Sequence, residues 1–415
     1  MINPNTCVKC KGRLFCSLPK CPILEKFYST QQISRKIGKD FQGTNPNALF
    51  ISWHSWPNVS IAPLTASEHL NSSIAETIDD DENWFGLPPQ KIIDFRQQLV
   101  RSTNKINVHQ AANPSNDLMD LQEIILARKP IDLEVELQKA PEARLEFSDF
   151  FAPMGPSAPQ KSLALQENPS IDRKLGYLTN DVNVKASTAL TELFDYGITA
   201  SKLIKVFSAG LLGVKKNRVL VPTRYSITAV DDILSKHLLE DIKGFQQLNS
   251  IKLFSSNYLD NHFFVLLIPG EWSFEMLESW IPGSVWYPKA DSASIKVIQD
   301  HESFKGRKTY ASEITGAYYS ARLAVAEYLS EIKKQASCII FREIHPGYSI
   351  PLGVWQIREN VRHAMQQKPL EFFDLNFVLK SLENKLSVPF NKYLQASKLL
   401  DKKQNQRKLF EFSLS

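Results

Sequence analysis

The chain has 415 residues, of which 49 are Lys or Arg and 44 are Asp or Glu, for a formal net charge of +5. A hydrophobic fraction of 43% is enough for a sizeable core, and the absence of any run of about 18 apolar residues excludes a membrane-spanning helix. A balance this mildly basic permits a local nucleic-acid patch without requiring one.

Four of the five cysteines lie in one stretch, Cys7 to Cys21, CVKCKGRLFCSLPKC. That clustering argues against a disulfide framework. Two residues separate Cys7 from Cys10, five separate Cys10 from Cys16, and four separate Cys16 from Cys21. A C-x2-C pair places two thiolates on one ion through a tight knuckle, and Gly12 lets the chain turn back. Four soft ligands suit tetrahedral zinc, and an iron–sulfur cluster uses the same set. Lys9, Lys11, Arg13 and Lys20 offset the thiolate charge. Four protein ligands leave no open position, so the expected role is structural. The first residues, MINPNTCVKC, lack an apolar segment of signal-peptide type, so a cytoplasmic protein is expected.

Ala48 to Ser52 reads as a strand, and Val59 and Ile61 alternate as a second strand does. Trp53, His54 and Trp56 stand between them. Two tryptophans closing a hairpin over the core is the expected reading, and stacking on a base is the functional alternative. Asp79, Asp80, Asp81 and Glu82 read as a solvated acidic loop, with divalent-ion binding as the alternative. KIIDFRQQLVRS reads as one amphipathic helix in which Leu99 and Val100 join Ile92, Ile93 and Phe95 on the apolar face. Leu118 to Ala127 reads as a helix, and Ile131 to Leu137 as a shorter apolar segment. Phe147 to Pro159 is rich in Pro and small residues and reads as a loop near a domain boundary. Val184 to Leu212 is helical, with breaks at Gly197 and Gly210.

RVLVPTRYSITAVDD, Arg218 to Asp232, is the first of two polar clusters that follow an apolar run. Val219 to Val221 reads as a buried strand ended by Pro222. Arg224, Thr228, Asp231 and Asp232 follow where α/β folds tend to place chemistry. The bland reading is a helix capped by Ser226 or Thr228, with Asp231 and Asp232 solvated in its first turns. Ile251 to Ser255 and Phe263 to Ile268 read as strands, and Trp272, Met276 and Trp280 fall at helical spacing. Lys308 to Leu329 is the longest helical candidate. The second cluster follows strand-like Ser337 to Phe341: REIHPGY, then PLGVWQIREN, with Glu343, His345 and Arg358 as candidate acid–base and phosphate-binding groups. Two acidic residues can hold a divalent ion for phosphodiester chemistry. No Walker loop, dinucleotide glycine pattern or Ser-His-Asp spacing occurs.

Asn391 to Leu400 reads as a helix and Asp401 to Lys408 as a polar, basic tail. Gln406, Leu409 and Phe412 are spaced by three, so a 3₁₀ turn sets Leu409 and Phe412 on one side. This pattern resembles the peptide (PIP motif) by which many DNA enzymes bind the sliding clamp, PCNA. Ser413 stands where a second aromatic is usual.

Several stretches together resemble one family, the archaeal Nre DNA repair proteins. They are the cysteine cluster, RVLVPTRYSITAVDD, GAYYSARLAVAEYL, REIHPGYSIPLGVWQIREN, the tail and, in divergent form, WPNVSIAP. The resemblance implies an archaeal protein acting in DNA damage repair and binding the sliding clamp through Gln406, Leu409 and Phe412. It carries the metal cluster onto Cys7, Cys10, Cys16 and Cys21, and carries over no catalytic residue. The expected fold is α/β or α+β, with mixed helices and strands around one large core. A zinc knuckle over 1–30, a body over 31–400 with a subdomain boundary near 150–180, and a flexible tail over 401–415 complete the organisation. Three roles follow: a clamp-tethered repair factor acting on DNA; a metal-dependent enzyme on nucleic acid or nucleotide that joins both polar clusters; and a non-enzymatic scaffold. None involves a membrane.

Overall fold

A computed structural model of the chain describes residues 34–142, 154–282, 295–348 and 352–405, with Leu14, Cys21 and Gln31. Cys7, Cys10, Cys16, Gln406, Leu409, Phe412 and Ser413 lie outside the described residues, and Cys21 is half-buried. The described residues fold as α/β, with 12 α-helices and two six-stranded mixed sheets. They divide into two compact units, one through residue 234 with 352–355, the other over 235–348 and 356–405.

The N-terminal unit holds strands β1 (Asp40–Asn45), β2 (Leu49–Ile51), β3 (Asn58–Ala66), β4 (Leu99–Asn107), β5 (Ile131–Leu137) and β6 (Ser157–Leu165). Their order is β1-β5-β6-β4-β3-β2. In β5 the sequence IDLEVEL alternates, and so does its burial, as period-two side chains on a one-sided sheet must. Helices α1 (Ser72–Ile78), α2 (Pro89–Gln97) and α3 (Asn116–Leu126) lie between strands, and α4 (Arg173–Asn180), α5 (Ala186–Asp195) and α6 (Ala200–Ser208) follow them. Three expectations change here. The helix read over KIIDFRQQLVRS stops at Gln97, and Leu99 and Val100 belong to β4, because pairing with β3 removes them from the helix face. Part of the loop read over 147–159 is strand, beginning at Ser157. Val219 to Val221 is not a strand. Leu220 N donates to Val108 O and Val221 N to Ser208 O, so its backbone is satisfied by the start of a 3₁₀ turn and a helix end instead of a ladder.

Helix α7 (Thr223–Ile242) starts directly after Pro222, one turn earlier than a Ser226 or Thr228 cap would place it. Ser226 Oγ instead donates back to Val221 O and Pro222 O.

The C-terminal unit contains β7 (Ile251–Tyr258), β8 (Asn261–Ile268), β9 (Ser273–Trp280), β10 (Val297–Glu302), β11 (Ser337–Ile344) and β12 (Leu370–Phe372), ordered β10-β9-β11-β8-β7-β12. Its helices are α8 (Gly316–Glu331), α9 (Trp355–Gln366), α10 (Leu375–Glu383), α11 (Phe390–Ala396) and α12 (Lys398–Asn405). Helix α12 thus covers part of the stretch read from sequence as tail. One sheet face meets α10–α12 through Leu253, Phe264, Leu266, Ile339 and Phe341 against Val378, Leu382, Tyr393 and Leu400. The other face carries Phe254 and Phe274, whose rings meet Tyr328 and Tyr318 of α8.

Trp272, Met276 and Trp280 do not form a helix. Strand β9 takes this segment, parallel to β11 and antiparallel to β10. Being central in the sheet, it is buried on both faces, so the period-two signal disappears and a helical spacing arises by coincidence. Its buried carboxylates have defined work. Glu275 accepts from Ser397 Oγ, Lys398 N and Leu399 N at the start of α12, which satisfies donors a helix leaves open. Glu278 Oε2 pairs with Arg342 Nη1 at 2.6 Å.

Candidate functional site

The site sits where β8 begins and β11 ends. Strands β7 and β8 are joined by a two-residue turn, Leu259 and Asp260, between the paired residues Tyr258 and Asn261. Both turn residues have positive φ, 54° and 53°, as the tight hairpin turn that matches strand twist requires. Asp tolerates this conformation well, and Leu does not. The turn is stitched to the chain beyond β11: His345 N donates to Asp260 O at 2.9 Å, and Gly347 N donates to Asp260 Oδ2 at 2.6 Å. A Cβ on residue 347 would lie 2.7 Å from that same oxygen, so the close approach needs glycine.

Register does the rest. His262 of β8 stands directly opposite Glu343 of β11. Side chains alternate along a strand, so Glu343 and His345 share a face with His262. The His262 and His345 rings stack, with centroids 4.0 Å apart and planes at 22°. His262 Nε2 lies 3.5 Å from Asp260 Oδ1, and His345 Nε2 lies 3.5 Å from Glu343 Oε2. Asp260, His262 and His345 can each present a ligand atom within 4.8 Å of the other two.

Glu343 is wholly buried. Its oxygens accept from Ser387 N (2.9 Å), Val388 N (2.8 Å) and Tyr393 Oη (3.2 Å). Burial alone raises its pKa, but His345 and those two amides outweigh it and hold the carboxyl below the ordinary glutamate value. Burial, and then the neighbouring His345, keep the His262 imidazole below its ordinary pKa, against the pull of Asp260 and Glu343. The arrangement therefore favours a charged carboxylate behind two imidazoles, of which His262 is biased to neutrality. Neutral imidazole is the form that binds metal.

The other predicted residues are placed differently. Arg358 is almost fully buried, with Nε 3.5 Å from Glu359 Oε1. Glu359 also accepts from Arg362, which is bidentate to Glu327. That is an ion-pair network bracing α9.

In the N-terminal unit, Arg224, Thr228 and Asp231 recur at i, i+4 and i+7 on α7, and so share one face. Asp231 is wholly buried, while Arg224, Thr228 and Asp232 are half-buried. The Arg224 guanidinium lies 5.8 Å from the Trp53 ring centroid, within cation–π range. Thr223 Oγ1 accepts from Ile51 N. Trp56 is 55% exposed, so it does not close the hairpin over the core. Asp79 is buried and takes Lys205 Nζ at 2.6 Å and Arg96 Nη1 at 3.0 Å. This part of the acidic run is an internal counter-ion, not a solvated loop.

The sequence singles out Glu343 and His345 as candidates, and Asp260 and His262 join them only in the structure. A signal existed: Asp260-Asn261-His262 and Glu343-Ile344-His345 repeat one acid–spacer–imidazole pattern. Period two puts Glu343 and His345 on one face, whereas Asp260 stands in the turn before β8. What could not be read locally was the pairing that sets the two patterns against each other.

Two family models match the chain, archaeal Nre, N-terminal, over residues 15–287 and archaeal Nre, C-terminal, over 302–412. The chain is 35% identical over 406 residues to a DNA repair protein NreB of Archaeoglobus fulgidus, covering 98% of this chain and 99% of that one. It is 37% identical over 383 residues to a DNA repair protein NreA of the same organism, covering 91% and 94% of the two chains. A DNA repair protein NreA of Haloferax volcanii is 33% identical over 331 residues, 79% of this chain and 78% of the relative. No solved structure matches.

Proposed function

The chain belongs to the archaeal Nre family, and on that premise we propose that it is a DNA damage repair factor held on the sliding clamp (PCNA) by its C-terminal peptide. The observation that carries the repair reading is the near end-to-end match, in both directions, with relatives named as DNA repair proteins. The clamp reading is supported by Gln406, Leu409 and Phe412 at threefold spacing beside the basic residues Lys402, Lys403, Arg407 and Lys408. Such a segment orders on binding, with the two apolar side chains in a pocket. Tethering raises the local concentration of the body at DNA, so a weak intrinsic affinity suffices. In this reading Cys7, Cys10, Cys16 and Cys21 hold a structural zinc.

Pull-down with the purified clamp tests the tail. Leu409→Ala with Phe412→Ala should lower retention at least about tenfold, since two buried anchors typically carry that much binding energy. In a deletion strain exposed to a DNA-damaging agent, the intact chain should restore survival and the tail variant should fall short. Equal retention by both proteins removes the tail from the account, and failure of the intact chain to restore survival removes repair. Whether the tethered body is an enzyme or a scaffold is separated by assays on damaged DNA with Asp232→Ala and His345→Gln, residues of the two polar clusters.

A further inference from the structure

The cluster at the β8–β11 end has the chemistry and spacing of a metal site that the cysteines of the N-terminus do not supply. Two atoms each about 2.1 Å from a tetrahedral ion stand about 3.4 Å apart. His262 Nε2 and Asp260 Oδ1 are 3.5 Å apart, and the three-residue set closes within 4.8 Å. A modest side-chain rotation thus suffices to bring a third ligand in. His345 Nε2 is shielded from solvent and stands 3.5 Å from Glu343 Oε2 without a well-formed hydrogen bond, so that nitrogen faces the carboxylate and Nδ1 is the ring nitrogen left for an ion.

The frame around these atoms is rigid. Asp260 is pinned by the Gly347 amide, His262 lies in a ladder, and His345 is anchored through its own N–H to the Asp260 carbonyl. Glu343 lies behind His345 with its oxygens committed to Ser387, Val388 and Tyr393, the position of the carboxylate that orients a ligating histidine. Side-chain exposures of 37% for Asp260, 29% for His262 and 16% for His345 leave one side of the cluster open to solvent.

We propose that Asp260, His262 and His345 bind one divalent first-row transition metal ion, zinc foremost, with Glu343 as the positioning carboxylate of His345. Two imidazoles and one carboxylate suit such an ion better than calcium or magnesium, which prefer oxygen ligands alone. Three protein ligands leave a position for water or for an oxygen of a bound molecule, unlike a closed four-thiolate site. The proposal does not rest on clamp binding or on the polar face of α7.

The test uses the full chain, stripped with chelator and titrated with Co2+, which reports thiolate and nitrogen/oxygen ligation separately: thiolates give intense near-ultraviolet charge-transfer bands, and imidazole–carboxylate sites give only weak visible bands. The wild type should bind one equivalent of cobalt that adds no thiolate bands, besides any cobalt held by the cysteines. His262→Gln and Asp260→Asn should lose that equivalent, or bind it at least about 100-fold more weakly. The thiolate bands and the metal-free circular dichroism should stay as they are in the wild type. Asp260→Asn keeps an acceptor for the Gly347 amide, so it remains informative if His262→Gln does not fold. Cobalt bound only with thiolate character in the wild type, or an unchanged equivalent in both variants, overturns the assignment.

Discussion

Two polar stretches handle their side chains in opposite ways. From Lys202 to Ser226, in the N-terminal unit, several polar groups end on main chain, while Lys205 pairs with Asp79 and Arg224 lies over Trp53. Lys202 Nζ donates to Ala127 O, Ser208 Oγ to Val221 O, and Arg218 to the carbonyls of Gly213, Thr179 and Asp181. Thr223 takes the Ile51 amide. At Asp260 to His262 and Arg342 to His345, in the C-terminal unit, side chains also meet side chains, beside amides such as Gly347 N and Val388 N. Arg342 joins Glu278 and Asn261 on one face of β11, while Asp260, His262, Glu343 and His345 gather on the other. A side chain spent on a carbonyl fixes the path of the backbone. A side chain held near other side chains, with lone pairs to spare, can bind something. What the polar atoms reach separates scaffold from site.

Three substitutions press on that comparison. The largest effect is expected at Lys202, whose pKa burial, and then Lys205, lower to about 7. Its folded value lies below the unfolded one, so between about pH 7 and 10.5 the unfolded chain holds a proton that the folded chain has released. Stability therefore rises with pH across that window, and the burial penalty is fully present below it. Lys202→Met should raise stability at pH 6 by roughly 3 kcal/mol and flatten the profile. Asn47 Nδ2 still serves Ala127 O in that variant. Urea denaturation at pH 6 and pH 10 reads both changes, and a variant as pH-dependent as the wild type would show that Lys202 is not the group responsible.

Arg218→Met comes next. It leaves three carbonyls short of a donor and should lose about 2 kcal/mol of unfolding free energy. Cobalt binding by the folded protein should not change. Loss of the metal equivalent together with stability would break the division between scaffold and site.

The smallest change in stability is expected at Gly347→Ala, about 1 kcal/mol, because only a loop must shift to relieve a 2.7 Å contact. The contact is with Asp260, so cobalt affinity should fall about tenfold. Titration of wild type and variant side by side decides it, and an unchanged affinity would mean that Asp260 needs no such support.

Much of the framework could be read locally. Phe263 to Ile268 is an apolar run too short for a helix and too continuous for a surface strand, and it forms β8. Gly197 and Gly210 do follow the ends of α5 and α6, and the burial of IDLEVEL follows its alternation. The misread segments share a cause. Strand β9 is buried on both faces by its neighbours in the sheet. Leu99 and Val100 belong to β4 because β3 pairs with them. Val219 to Val221 stays irregular because Val108 and Ser208 supply its backbone partners. In each case a distant segment outweighed local pattern, as tertiary context does.

The same limit governs the candidate site. The sequence by itself determined which residues are available: an acid and a histidine two apart near one strand start, the same pair near another strand end, and a glycine two residues beyond. Period-two geometry already places Glu343 and His345 on one face. Only the tertiary structure decided that residues 262 and 343 stand opposite one another, that a left-handed turn carries Asp260 back over them, and that Gly347 lets the chain close against its carboxylate. Register between strands distant in sequence is set by the burial of whole sheet faces, and no window of neighbouring residues contains that information.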